Sequence, residues 1–193
     1  LGPQALAQVI SAMFLAMGLS QIPIGVLLDR FGSRGVIPCM ATLAAFGCAL
    51  FALADGFYGL AFSRICIGAG LSATVMGSYL LILRWAPREK FSNYSGIILF
   101  VSGLGGVLAT TPLTLLFNAI GWRATFAGFG VLILCGAVLS FAIVRDAPPD
   151  TAPKAEAPPS LWAVFLQLRA VVGFRHLWPL LVVGLILYTP QQI

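Results

Sequence analysis

Five apolar stretches, each long enough to cross a bilayer as a helix, leave this chain few folds to choose from. They run over residues 7–28, 35–54, 57–83, 94–119 and 124–144, and a hydrocarbon core takes about 20 apolar residues per helix. A sixth stretch begins near Leu177 and is still apolar at Ile193. A soluble domain carries roughly a quarter charged residues; this chain carries 9% and is 60% hydrophobic, with a mean hydropathy of +0.99. One core cannot hide that much apolar surface, so the lipid bilayer is the solvent. The expected fold class is an all-α membrane protein, a polytopic helical bundle.

The loops give the direction of the spans. Arg30, Arg34, Arg84, Arg88, Lys90, Arg145, Lys154, Arg169 and Arg175 fall after spans one, three and five, while Arg123 stands alone on the opposite side. Nine against one is a strong positive-inside signal, which places residue 1 outside and predicts a multi-pass protein of the cell inner (plasma) membrane. Because the basic residues sit in separate loops rather than one patch, the net charge of +5 does not point to nucleic acid. Cys39, Cys48, Cys66 and Cys135 all lie in apolar runs without paired spacing, as small hydrophobes do. With a single histidine besides, no metal site is expected, and no cofactor.

Three regions follow. Residues 1–144 hold five transmembrane helices. Residues 145–175 begin with a Pro-, Ala- and charge-rich cytoplasmic linker (RDAPPDTAPKAEAPPS). Its second part, 161–175, reads either as a helix lying at the membrane surface behind a Ser160 cap or as an extension of the next span. Residues 176–193 open that span. The chain lacks an initiator Met and any signal-peptide pattern, and it stops within an apolar run.

An internal repeat appears at an offset of 89 residues. Pro23 matches Pro112, Gly32 matches Gly121 and Arg34 matches Arg123, and Leu43, Gly47 and Leu50 match Leu132, Gly136 and Leu139. Since the offset covers three spans, the second copy is upside down in the membrane. Inverted-topology repeats are the build of secondary transporters. The span at 57–83 finds its repeat partner before Leu1, so the repeat predicts a preceding first helix and a chain truncated at both ends. The two prolines are expected to bend their helices.

At the inner end of the first span stands Gly25-Val-Leu-Leu-Asp29-Arg30-Phe-Gly32-Ser-Arg34. It resembles the loop 2–3 signature of the major facilitator superfamily, G-x3-D-[RK]-x-G-x-[RK]. Spans, linker and topology also resemble helices two to seven of that fold, which makes the chain a partial N-terminal half joined to the start of the C-terminal half. A further match, Arg64-Ile-Cys-Ile-Gly68-Ala-Gly70, is similar to the R-x3-G-x-G pattern of helix four, with Ile67 where Gln is common. The helix-five antiporter pattern is met only at Gly103 and Gly106; Leu104 and Val107 depart from it, which weighs against a drug/proton antiporter. The glycines of Gly103-Leu-Gly105-Gly106 then read as close helix packing.

The resemblance implies secondary active transport of a small-molecule substrate by alternating access, with the missing first helix and C-terminal half of the same chain as partners. It implies a conformational latch at Gly25, Asp29, Arg30, Gly32 and Arg34. The competing reading is an ordinary positive-inside anchor, to which Asp29 would add nothing. Arg64, about two turns inside the outer boundary, is either a cavity residue or a snorkelling one. Gly68, Gly70, Gln21, Tyr79, Thr110, Thr111 and Asn118 complete the substrate or cavity candidates; such polar side chains also serve as ordinary helix–helix hydrogen bonds.

Asp29, Asp55, Glu89, Asp146, Asp150 and Glu156 all lie at span ends or in loops. A carrier coupled to protons would therefore hold its titrating group outside this stretch, and Arg64 without an acidic partner suits an anionic substrate. The alternative classes are a membrane enzyme, for which no clustered nucleophile, metal ligands or paired carboxylates appear, and a channel or structural subunit.

Overall fold

Turning 51 helical residues back on themselves takes one residue here. In a computed structural model describing residues 2–146, α1 (Pro3–Leu53) is helical throughout except at Gly32, whose φ of 74° and ψ of 167° break it into arms 3–31 and 33–53. Side chains disfavour that backbone region, and glycine does not. The arms are the first two expected spans, and both pack on α2 (Phe57–Trp85). A 3₁₀ turn, Arg88–Lys90, leads into α3 (Phe91–Leu108), followed by α4 (Thr111–Ile120) and α5 (Trp122–Ile143). The described residues contain no strand.

The repeat is written in the backbone. Gly32 and Gly121 are the only positive-φ residues described, and their angles nearly coincide: 74° and 167° against 81° and 156°. Each turn opens the second helix of its copy, and the two lie at opposite ends of the bundle. Gly32 meets Asp146 beyond the end of α5, whereas Arg123, beside Gly121, meets Asp55 beyond the end of α1.

The repeat's prolines behave differently from one another. Pro23 sits inside a stretch with no non-helical angles, while the expected fourth span is interrupted at Thr110 (φ −97°, ψ −111°), and Pro112 falls in the first turn of α4. A proline lacks the N–H that an unbroken helix would need at that point, but costs nothing in a first turn. The bend expected at Pro112 is thus a break, and at Pro23 the helix runs on.

α2 is the centre of the packing. Along it, Gly68 lies against the Met13 carbonyl of the first arm, Gly70 against Met40 and Ala44 of the second, and Gly77 against both Leu28 and Ile37. The Ser33 hydroxyl donates across to the Gly77 carbonyl at 3.3 Å. Val9, Cys48, Phe51, Leu60 and Ile67 form a buried cluster toward the outer end, and Ile24, Leu28, Val36 and Ala73 another toward the inner end. By contrast, α3 and α4 bury no residue among those described. Gly103, Gly105 and Gly106 accordingly have nothing within 4 Å of where a Cβ would stand. The close packing expected of them is absent from the described residues, because no neighbouring helix among them reaches that face. Large apolar side chains such as Leu53, Phe100 and Leu132 point outward, as they do toward lipid. The linker, the 161–175 segment and the last span lie outside the described residues.

Candidate functional site

Arg64 reaches from α2 into a junction of three helical segments. Its guanidinium carbon stands 4.4 Å from the ring centre of Phe51 at the end of the second arm and 5.1 Å from that of Phe126 in α5. Its Nη1 donates to the Met13 sulfur of the first arm at 3.7 Å, and its Nε is buried with no partner among the described residues. The two ring centres are themselves only 4.4 Å apart, so both occupy one side of the guanidinium. A charge at the membrane centre costs about 2.5–3.5 kcal/mol on insertion scales, an upper bound for Arg64 about two turns inside the boundary. Two cation–π contacts on this half-buried side chain, each worth about 0.5–2 kcal/mol, offset part of that. The arrangement tolerates the charge without neutralising it.

Outward from this cluster, Phe51 meets Trp122 edge to face at 5.6 Å, and the Arg123 guanidinium lies 4.4 Å over the Trp122 ring. Arg123 then pairs with Asp55 at 2.6 Å and donates to the Ala54 carbonyl. That ion pair is 51% and 88% exposed, so it is worth only about 0.2–1 kcal/mol.

At the inner end, the Asp146 carboxylate fills the space that a side chain at position 32 would take, 2.5 Å from an ideal Cβ there. It accepts the Arg34 backbone N–H at 2.9 Å and stands 3.8 Å from Arg84. This is a helix N-cap supplied by a residue 112 positions away. Trp85 adds a second tie, its Nε1 donating to the Arg145 carbonyl at 2.8 Å. Asp29 and Arg30 are exposed and make no hydrogen bond or ion pair with the described residues; Arg30 only flanks the Phe31 ring.

The Major Facilitator Superfamily profile matches residues 1–191. The chain belongs to the major facilitator superfamily. Over 123 residues it is 33% identical to the "Probable anion transporter 6, chloroplastic" of Arabidopsis thaliana, covering 63% of this chain and 24% of that protein. Over 137 residues it is 30% identical to the "Hexuronate transporter" of Bacillus subtilis (strain 168), covering 69% and 32%. The "Nitrate/nitrite transporter NrtP" of Picosynechococcus sp. is 24% identical over 158 residues, 67% of this chain and 29% of its own. The chain spans about a quarter to a third of the length of these curated relatives.

Within this major facilitator stretch, the candidate residues divide. Asp29, Arg30, Gly32 and Arg34 sit at the inner turn, which Gly32 makes, while Gly25 lies about two helical turns earlier against Met76. Gly68 and Gly70, expected at a cavity, are instead buried where α2 crosses the two arms, because the backbones there approach too closely for any side chain. Thr110 and Thr111 are exposed at the break between α3 and α4 and Asn118 is exposed near the far end of α4; Thr110 spends its hydroxyl on the Val107 carbonyl at 2.6 Å. Gln21 and Tyr79 are half-buried, Tyr79 beside Phe91. None of these polar groups hydrogen-bonds to Arg64 among the described residues. A cavity of about 470 Å³ between Trp85, Lys90, Tyr94 and Arg145 lies at the inner end, roughly 30 Å along α2 from Arg64 at 1.5 Å per residue.

Asp146, Phe51 and Phe126 hold places in these contacts that no sequence motif announces. Asp146→Ala is expected to lower the thermal midpoint of the full-length carrier in mild detergent by about 1–2 °C, since an N-cap contributes about 1 kcal/mol and the shift per kcal/mol shrinks with chain length. Asp146→Asn, which keeps an accepting oxygen, should recover part of that loss. An unchanged midpoint in both would mean that the carboxylate does not hold the turn.

Proposed function

We propose that the protein carrying this stretch is a secondary transporter of the inner membrane that moves a small organic or inorganic anion by alternating access. The observation that carries the reading is the Arg64 guanidinium, held inside the spans with a buried Nε and no carboxylate in any span of this stretch to answer it. A buried charge is retained where something pairs with it, and an ionisable residue at such depth marks a substrate or ion path. An anionic substrate supplies the missing partner. The names of the relatives fit this chemistry, since hexuronate and nitrate are both oxyanions. Proton coupling, if the carrier uses it, draws on a titrating group beyond these spans.

The test is uptake by the full-length carrier in proteoliposomes, using radiolabelled glucuronate, nitrate and inorganic phosphate beside neutral glucose and cationic choline. Saturable uptake of at least one anion, with glucose and choline excluded, is the expected result. Saturable uptake of choline or glucose alone would overturn the anion reading, and silence with every probe would favour a non-transport membrane role.

The inner turn is assigned the latch. Asp146 and the Gly32 turn hold its shape, leaving Asp29 and Arg30 exposed and unpaired among the described residues, and so available to the other half of the carrier. Asp29→Asn should therefore shift the balance between inward- and outward-open forms, read by site-directed alkylation of an outer-cavity cysteine, while the thermal midpoint stays within about 1 °C, as surface substitutions do. An unshifted labelling rate with unaltered transport would leave the turn a plain anchor.

A further inference from the structure

We propose that Phe51 and Phe126 are positioning residues for Arg64, holding its guanidinium from one side so that its N–H edge stays available to an anion. This role rests on the anion reading above. It goes beyond that reading in naming what keeps the charge in place.

Three observations carry it. The rings come from different segments, the second arm of α1 and α5, yet both centres lie close to the same carbon, at 4.4 and 5.1 Å. Their own separation of 4.4 Å places them on one side of the cation, and Met13 takes only one of its nitrogens, through a weak sulfur acceptor. The rings are also held in turn. Trp122 braces Phe51, Phe117 and Phe129 flank Phe126, and Phe51 belongs to the buried outer cluster. An aromatic face attracts a cation without consuming its N–H groups, whereas a carboxylate would consume them and leave nothing for a substrate. A clamp of aromatic rings thus fixes the guanidinium without taking its N–H groups. The positive-φ turn at Gly121 sets Trp122 and Phe126 at the start of α5, level with the end of the second arm, which brings the two rings together.

Two readouts on the full-length carrier separate the clamp from the substrate reading. First, 4-fluorophenylalanine is placed at position 51 and its ¹⁹F resonance compared with and without Arg64→Gln; a cation over the ring face shifts that resonance, and its loss moves it. Second, uptake kinetics are measured for whichever of glucuronate, nitrate or phosphate is carried. Phe51→Leu is expected to raise KM about five- to tenfold with Vmax nearly kept, Phe51→Tyr to restore it, and stepwise fluorination of the ring, which weakens its face without changing its shape, to raise KM step by step. The fluorinated series covers the case in which Phe51→Leu fails to fold.

An ¹⁹F resonance indifferent to Arg64→Gln overturns the clamp whatever is transported. A responsive resonance with KM flat across the fluorinated series also overturns the positioning role, though Arg64 itself keeps its place. If no probe anion is carried by the parent protein, the anion reading fails, and the presentation role fails with it. The ¹⁹F shift would then show a purely structural contact.

Discussion

Gly70→Val is expected to leave almost no assembled carrier. An ideal Cβ at Gly70 would stand 2.5 Å from the Ala44 nitrogen and 2.6 Å from the Met40 carbonyl oxygen, and backbone atoms of a packed helix cannot swing aside as a side-chain tip can. Overpacking a core costs typically about 1–3 kcal/mol, and an isopropyl group driven into backbone lies at or beyond the top of that range. Since helix association in lipid rests on close packing of small residues, separation of α2 from the second arm is the natural relief. We expect the ratio of monodisperse to aggregated protein in mild detergent, followed by fluorescence-detected size exclusion, to fall at least about tenfold, the factor that 1.4 kcal/mol produces in an equilibrium constant. Gly136→Val is the control. It sits in α5 with nothing within 4 Å of where a Cβ would stand and should assemble like the parent. Equal behaviour of the two variants would mean that α2 and the second arm do not cross at van der Waals contact.

Glycines of this kind separate what a sequence shows from what it does not. Gly136 and Gly47 occupy matching places in the repeat, yet a Cβ at Gly47 would stand 2.8 Å from the Ile67 nitrogen, while Gly136 faces open space. Apolar run lengths and the 89-residue offset reveal the spans, their inversion and the correspondence of Gly32 with Gly121, because each is a local pattern or a copied one. Which copy meets a neighbour is a long-range matter that the repeat cannot encode. Asp146 is hidden for the same reason. It sits at the head of a Pro-rich linker, and nothing local connects it with a turn 112 residues earlier. Phe51 and Phe126 look like two of many lipid-facing or core aromatics until α1 and α5 are placed side by side. The break at Thr110 has a local signal in Pro112, but the residue type alone does not distinguish a proline within a helix from one in a first turn. Pro23, at the matching position, stays within its helix.

Arg64→Gln should reduce uptake of a carried anion about ten- to a hundredfold at substrate concentrations below KM. A hydrogen bond to a charged group is worth about 1.5–3 kcal/mol, and each 1.4 kcal/mol is a factor of ten; glutamine keeps a polar tip but loses the charge. Arg64→Lys should fall between. It retains the charge as a compact ammonium but gives up the planar fork that matches an oxyanion and stacks on aromatic rings. The snorkelling reading predicts the reverse order. If Arg64 were merely tolerated, its removal would relieve the cost of a charge in the membrane, and Arg64→Gln would accumulate at or above the parent level with transport intact. Measuring surface-corrected uptake and protein amount on the same vesicles separates the two, since one reading loses transport per molecule and the other loses none. One physical ground supports the first: two rings and a sulfur hold this guanidinium in place, and none of them uses up the Nε–H that lies buried without a partner among the described residues.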